Sequence, residues 1–383
     1  MVKYLFWLTI FLIAYTYLGY YLVLRVLTMF TRKGETSYDQ SFVPEVSIIV
    51  AAYNEGDVIG RRIENLLQMD YPREKMEIIV ASDGSTDKTA EKANEYTKHG
   101  VVVFDFKKNR GKAETHNDSI ILAKNDIVVL TDADSLFENN FVRKVVLPFS
   151  MPEVGCVVGN LLYMSSETNI SETETYYYNN LEYKIKDMED RLGILANGTG
   201  ACMAIRKSLF VSMTSADDTD TYTVLDLALK GYKIIFAKDA IAYDIPPKSA
   251  KSEFKCRVRA TSKTIVSITR SIGLRLVKNP VLFWNVTSHR LLRYLTPYFL
   301  LLTLVTNCLI AGTGTVYKLS LAGQALFYLL ALMGWAGESM GKRLPLVSKI
   351  FSFCVVMLGM FVGVTKGLMG KYPYSHKTDD GLA

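Results

Sequence analysis

The chain has 383 residues, and what it lacks narrows its function. Cysteine is sparse. Cys156, Cys202, Cys256, Cys308 and Cys354 are odd in number, far apart and never in a Cys-x-x-Cys pair. That pattern argues against a disulfide framework or a zinc site, and for a reducing compartment around the middle of the chain. No Gly-x-Gly-x-x-Gly follows the first predicted strand, which weighs against a dinucleotide-binding oxidoreductase. There is no internal repeat and no low-complexity tract. The net charge of +6 is too weak and too dispersed for nucleic acid, so no nucleic-acid partner is expected. It suits a protein set against anionic lipid or handling phosphorylated substrates.

What is abundant is apolar sequence. Hydrophobic residues make up 49% of the chain, and the mean hydropathy is +0.15. They concentrate at the two ends, while the middle reads like a soluble domain. Tyr4 to Phe30 is long enough to cross a bilayer. It is too long for the core of a signal peptide, and no small-x-small cleavage site follows. Arg32 and Lys33 place that end inside. Near the C-terminus, Leu291 to Ala311, Val316 to Ala336 and Leu346 to Met369 are each long enough to span. Before them, Asn279 to Tyr298 mixes Phe283, Trp284, Leu291, Leu292 and Leu295 with His289, Arg290 and Arg293. That is the pattern of a helix lying in the interface and then entering the membrane. The basic loop Gly341, Lys342, Arg343 reads as inside. Three spans would then put the C-terminus outside, yet Lys366, Lys371 and Lys377 favour the inside. Either the tail tolerates this or one segment is re-entrant. The expected division is a membrane helix over 1–33, a catalytic domain over 44–272, an interface region over 273–298 and about three spans within 291–370.

Between the apolar ends, strand and helix patterns alternate. Val46 to Ala51, Glu77 to Ala81, Val101 to Phe106 and Ile127 to Leu130 read as strands. Ile59, Ile63, Leu66 and Leu67, then Lys88 to Lys98 and Ala113 to Ala123, read as helices. This order predicts parallel strands with helices on both faces. Ligands in such sheets bind beyond the carboxyl ends of the strands. Those ends run into Ala51-Ala52-Tyr53-Asn54-Glu55, Ser82-Asp83-Gly84-Ser85-Thr86-Asp87 and Thr131-Asp132-Ala133-Asp134. A single Asp at a strand end is ordinarily a cap or turn residue, and Asp87 fits that description. Three carboxylate-bearing segments on one edge are harder to dismiss. Asp132 and Asp134 can share Mg²⁺ or Mn²⁺ with a diphosphate, since these cations take few protein carboxylates and complete their shells with substrate and water.

Tyr53-Asn54-Glu55, Ser82 to Asp87, Asn109-Arg110-Gly111-Lys112-Ala113 with Asn117, and Asp132-Ala133-Asp134 occur in this order. As a set they resemble family 2 inverting glycosyltransferases. With the flanking spans, the chain is similar to the membrane-integrated polysaccharide-synthase branch, the relatives of cellulose, chitin, hyaluronan and poly-N-acetylglucosamine synthases. The resemblance covers Val46 to about Arg270 in motif. It implies a GT-A fold, a Rossmann-like mixed sheet with helices on both faces, flanked by transmembrane helices. It also implies a nucleotide-sugar donor, a UDP-sugar first of all, a polysaccharide or lipid-linked acceptor, membrane lipid as partner, and a cytosolic catalytic domain.

The resemblance assigns roles as well. Ala52, Tyr53 and Glu55 would line the nucleobase and ribose pocket, with Asp83 on the same side of the nucleotide. Lys112 would sit near the diphosphate, Asp132 would contact the donor and Asp134 would hold the metal. Asn197-Gly198-Thr199-Gly200 resembles the loop near the acceptor sugar, which places Gly198 and Thr199 in substrate binding. Asp217-Asp218-Thr219-Asp220 is similar to the segment carrying the catalytic base. The match at Ala216-Asp217-Asp218 favours Asp218, whereas counting back from Gly231-Tyr232 points to Asp220. Arg259 keeps the arginine of the family's Gln-x-x-Arg-Trp and suits a leaving diphosphate. Cys256 and Ala260 replace the Gln and the Trp, a departure that bears on processive synthesis. The alternatives are transfer of one sugar to a lipid carrier, and a non-catalytic membrane scaffold.

Overall fold

The computed structural model describes residues 1–31, 38–164, 177–247, 249–340 and 345–371. Arg32, Lys33, Gly341, Lys342, Arg343 and Lys377, which carry much of the topology expectation, lie outside the described residues.

The middle of the chain folds around one eight-stranded sheet. Its strands are β1 (Val46–Ala52), β2 (Met76–Asp83), β3 (Val101–Phe106), β4 (Ile127–Asp132), β5 (Leu136–Phe137), β6 (Val154–Tyr163), β7 (Met203–Arg206) and β8 (Lys233–Asp244). The order across the sheet is β3-β2-β1-β4-β7-β6-β8-β5. The first four strands are parallel, as their continuous apolar runs predict. β7 then runs antiparallel to both β4 and β6, so the sheet is mixed.

Both faces are covered. Val46, Ile48 and Val50 of β1 point to one side, where Ile59, Ile63 and Leu66 of helix Ile59–Leu67 meet them. Ile49 points to the other side, against Ile120 of helix Lys112–Leu122 and Val224 and Leu227 of helix Thr219–Leu229. The alternation of successive side chains across the pleat thus builds two cores from one strand. It also brings the ends of β1, β2 and β4 to one edge, where loops are free to carry chemistry.

Among the described residues, four helical runs are long and apolar enough to cross a membrane: Val2–Phe30, Pro280–Thr313, Thr315–Ser339 and Leu346–Leu368. The first is interrupted by a π-helical turn at Tyr15–Gly19, and the second by one at Thr287–Leu291. Asn279 caps the second run through its side chain, with Pro280 at the first helical position. From there the chain runs helically into the span. The interface region expected over 273–298 is therefore largely continuous with that span, preceded by the short helix Leu274–Val277.

The last described helix, Pro345–Leu368, lies along helix Ala250–Val266, which follows β8. Glycines at four-residue spacing allow the close approach: Gly359 faces Arg257, Gly363 faces Thr261 and Gly367 faces Ile265. A Cβ on Gly363 would lie 2.7 Å from that of Thr261. Gly363→Leu is therefore expected to destabilise the protein by about 1–3 kcal/mol through overpacking, read as a lower thermal midpoint of the full chain in lipid. An unchanged midpoint would contradict this packing.

Candidate functional site

A cavity of about 590 Å³ opens beyond the end of β4. Its walls include Lys112, Asp132, Asp134, Gly198, Thr199, Asp218, Asp220 and Arg259, residues that lie far apart in the chain. Ala52, Tyr53, Glu55 and Asp83 are not among its walls; they sit at the neighbouring ends of β1 and β2.

The Asp132-Ala133-Asp134 turn is fixed from below. Arg62 is fully buried, donates to Thr131 Oγ1 at 2.7 Å and stacks on Phe137 at 4.1 Å. Burial lowers its pKa to about 9, against the pull of Asp132 and Asp134. Thr131 in turn donates to the carbonyl of Ala201 at 2.8 Å, tying the turn to the loop before β7. Asp134 is exposed, while Asp132 pairs with Lys112 Nζ. Burial opposes the charge on Lys112, but Asp132, Asp220 and Asp218 outweigh it and raise its pKa.

The acidic segment divides its carboxylates among different tasks. Asp217 is buried and accepts from Thr214, Ser267 and Ser271, which makes it a strut. Asp218 precedes helix Thr219–Leu229 without a side-chain cap hydrogen bond, and its Oδ2 accepts from the hydroxyls of Thr221 at 2.6 Å and Thr264 at 3.4 Å. Asp220 lies against the Asn197–Gly200 loop, its carbonyl accepting from the Gly198 amide at 3.2 Å. Burial, then the charge of Asp218, push Asp220 up to about 6, against the opposing effects of Lys112 and the Gly200 amide.

Asp83 has a different surrounding from a ligand-facing carboxylate. It is fully buried and accepts from the amides of Arg110 at 3.0 Å and Gly111 at 2.7 Å, so it shapes the loop leading into Lys112. Asn54 is the only non-glycine residue with positive φ among the described residues, at 54°. It is held by Thr86, whose amide donates to Asn54 Oδ1 at 2.8 Å, and by Ser85. Asp87 accepts from the amides of Gly56 and Thr89, both at 3.0 Å, joining two strand-end loops rather than only capping a helix.

Sequence reasoning missed Asp244. It ends β8 and lines the cavity, where burial, then Asp134 and Asp132, push it up to about 7. Its place at a strand's carboxyl end was the available signal. Lys263 was missed too; it lines the same cavity, and burial lowers its pKa, against Asp218. Among the described residues, no group of three or more His, Cys, Asp or Glu side chains could hold a metal ion by itself. The mutual repulsion raising Asp244 next to Asp134 and Asp132 is what a hard cation would relieve, with a diphosphate completing its shell.

Residues 47–213 match the family described as glycosyl transferase family 2. The chain is 29% identical over 254 residues to the poly-beta-1,6-N-acetyl-D-glucosamine synthase of Staphylococcus aureus strain MSSA476, covering 63% of this chain and 61% of that protein. It is 27% identical over 223 residues to the synthase of the same name from Staphylococcus epidermidis, covering 57% and 54%. The match thus spans less than two thirds of either relative's length. Among solved structures, it is similar to a mannosyltransferase from Pyrobaculum calidifontis in complex with GDP-Man and Mn²⁺. The TM-score is 0.72 at 21% identity, over 96% of this chain and 99% of that one, a likeness of fold. The fold is GT-A-like, with membrane-spanning candidates at both ends.

Gly200 is the tightest point of the site. A Cβ there would lie 2.1 Å from Asp220 Oδ1 and 3.1 Å from Lys112 Nζ. Gly200→Ala should displace the Asp220 carboxylate by the order of 1 Å and lower transfer about 100-fold, with circular dichroism unchanged. Wild-type turnover in that variant would contradict the placement.

Proposed function

We propose that this chain, whose residues 47–213 match glycosyl transferase family 2, is a membrane-embedded inverting glycosyltransferase taking a nucleotide-sugar on the cytosolic side with Mg²⁺ or Mn²⁺. The supporting observation is the convergence of Asp132, Asp134, Asp220, Lys112 and Arg259 on one cavity beyond the parallel strands. A scaffold has no use for such a set.

Asp220 is the base in this reading. The Asp218 carboxylate is engaged by two hydroxyls, whereas burial and Asp218 bring the Asp220 carboxyl to about 6, suited to accepting a proton at working pH. Asp220 takes the proton of an acceptor hydroxyl. The hydroxyl oxygen bonds to the anomeric carbon as the bond from that carbon to the diphosphate breaks, and the bonding pair leaves with the nucleoside diphosphate. One displacement inverts the anomeric centre. Asp134, with Asp132 beside it, would hold the cation, which supplies positive charge to the diphosphate when bound. Lys112 and Arg259 add fixed positive charge where the leaving group forms. Ala52, Tyr53 and Glu55 take the nucleoside, and Asp83 acts through the loop it fastens.

The acceptor is a polysaccharide or a lipid-linked sugar, and two observations favour the lipid. Lys255, Arg259 and Lys263 recur at four-residue spacing along the helix that lines the cavity. Arg290, Arg293 and Tyr294, from a run apolar enough to span the membrane, complete that wall. Ala260, in place of a tryptophan, offers no aromatic platform for a growing chain.

The test is nucleoside-diphosphate release by the full chain in lipid, across UDP- and GDP-sugars. Release from one donor, abolished by chelator and lowered about 100-fold by Asp134→Ala, is expected. Release unaffected by either would contradict the metal assignment, and donor binding without release under any acceptor would favour the scaffold. Turnover should rise with pH to half its maximum near pH 6, because Asp220 must be ionised. A profile falling through that range would contradict the base.

A further inference from the structure

A second charged cluster lies outside the transfer chemistry, where two membrane-spanning runs meet the catalytic domain. Glu182, Glu189, His289, Tyr20 and Asn285 are all buried. His289 Nδ1 lies 2.8 Å from Glu189 Oε1, and His289 Nε2 lies 3.2 Å from Glu182 Oε2. Tyr20 donates to Glu189 Oε1 at 2.7 Å, and Asn285 donates to the Tyr20 hydroxyl at 3.1 Å. Arg293 Nη1 donates to Glu182 Oε2 at 3.3 Å. Nε2 is the hydrogen-bonded nitrogen, while Nδ1 approaches Glu189 as an ion pair without hydrogen-bond alignment; a neutral imidazole would leave the two buried carboxylates with Arg293 alone, so the geometry calls for imidazolium. With Arg293, it balances the two carboxylates. Burial works against the charge on Glu182, but His289, Arg293 and Lys186 outweigh it and hold its carboxyl well below the usual range.

Three π-helical turns converge here: Tyr15–Gly19, Tyr177–Glu182 and Thr287–Leu291. Such turns are rare and concentrate at functional places, as do ionisable residues within membrane-spanning runs. Each delivers a residue to the junction. Tyr15 bonds Ser288 at 2.9 Å and accepts from Trp284 at 3.1 Å, while Glu182 and His289 face each other.

The cluster reaches the site through one amide. Asn197 Nδ2 donates to Glu182 Oε1 at 3.1 Å, and Lys186 donates to Thr199 at 2.8 Å. Asn197 opens the Asn197–Gly200 loop, against which Asp220 is seated. We propose that His289 is a positioning residue: by bridging Glu189 and Glu182 it fixes Asn197, and through that loop sets Asp220, so that the membrane-spanning helices are structural parts of the active site. The final link, to Asp220, rests on the function proposed above; the hold on the loop does not.

The test uses the full chain in lipid nanodiscs and amide hydrogen exchange, which needs no turnover. His289→Gln leaves two carboxylates against Arg293, and exchange over Asn197–Gly200 should quicken about tenfold while the Thr131–Asp134 turn changes by less than about twofold. Adding Glu189→Gln restores the charge balance and should return the loop to within about threefold of wild type. If nucleoside-diphosphate release is present, kcat should fall about tenfold in the single variant with donor KM unchanged, and recover in the double. Equal quickening of loop and turn, an unmoved loop, or no recovery would overturn the proposal. Should His289→Gln not fold, Tyr20→Phe removes only the hydroxyl and its bond to Glu189. About threefold faster loop exchange in that variant supports the proposal, and unchanged exchange overturns it.

Discussion

Charge balance around Lys112 is the constraint on which the cavity depends. Asp132 arrives from a strand end, and Asp218 and Asp220 from the start of a helix more than eighty residues later. Burial first, and then repulsion between neighbouring carboxylates, drives such groups toward protonation, as at Asp220 and Asp244. Lys112 sits between the two groups, bonded to Asp132 and close enough to Asp220 to favour its ionised form. Remove that cation and the acidic groups lose the partner that lets them share one cavity. Asp83 matters for the same reason at one remove, because the amides it holds fix the backbone from which Lys112 starts.

The second constraint is the junction with the runs apolar enough to cross a membrane. An apolar helix can anchor a domain without touching its site. Here the wall of the cavity includes Arg290, Arg293 and Tyr294 from such a run, and the helix bearing Arg259 is backed along its length by the last apolar helix. The shape of the cavity is therefore set in part by the apolar runs themselves.

The sequence made the sheet legible because each of the first four strands is a short apolar run ending in a polar motif, and parallel pairing turned those motifs toward one edge. Ala201 to Ile205 also reads as a strand, and β7 lies there over Met203–Arg206, but its antiparallel direction is not legible from periodicity. Sequence offers two registers, the Ala216-Asp217-Asp218 match for Asp218 and the count back from Gly231-Tyr232 for Asp220. The structure adds the neighbours of each carboxylate, hydroxyls around Asp218 and a glycine loop and Lys112 around Asp220, and these support the proposal of Asp220. The buried junction was invisible for another reason. Glu182 and His289 are 107 residues apart, and nothing local in either segment announces the other. His289, Arg290 and Arg293 read as the polar face of an interface helix, which is how such residues look until their partners are placed.

The assignment of Asp220 is the central claim, and paired variants test it most directly. Asp220→Asn and Asp218→Asn would be compared in the full chain in lipid, measuring affinity for the donor with Mn²⁺ and the rate of sugar transfer. The account predicts that Asp220→Asn keeps donor affinity within about twofold and lowers transfer by about 10³-fold, while Asp218→Asn retains most of its transfer. The reverse pattern, with transfer lost only in Asp218→Asn, would contradict it.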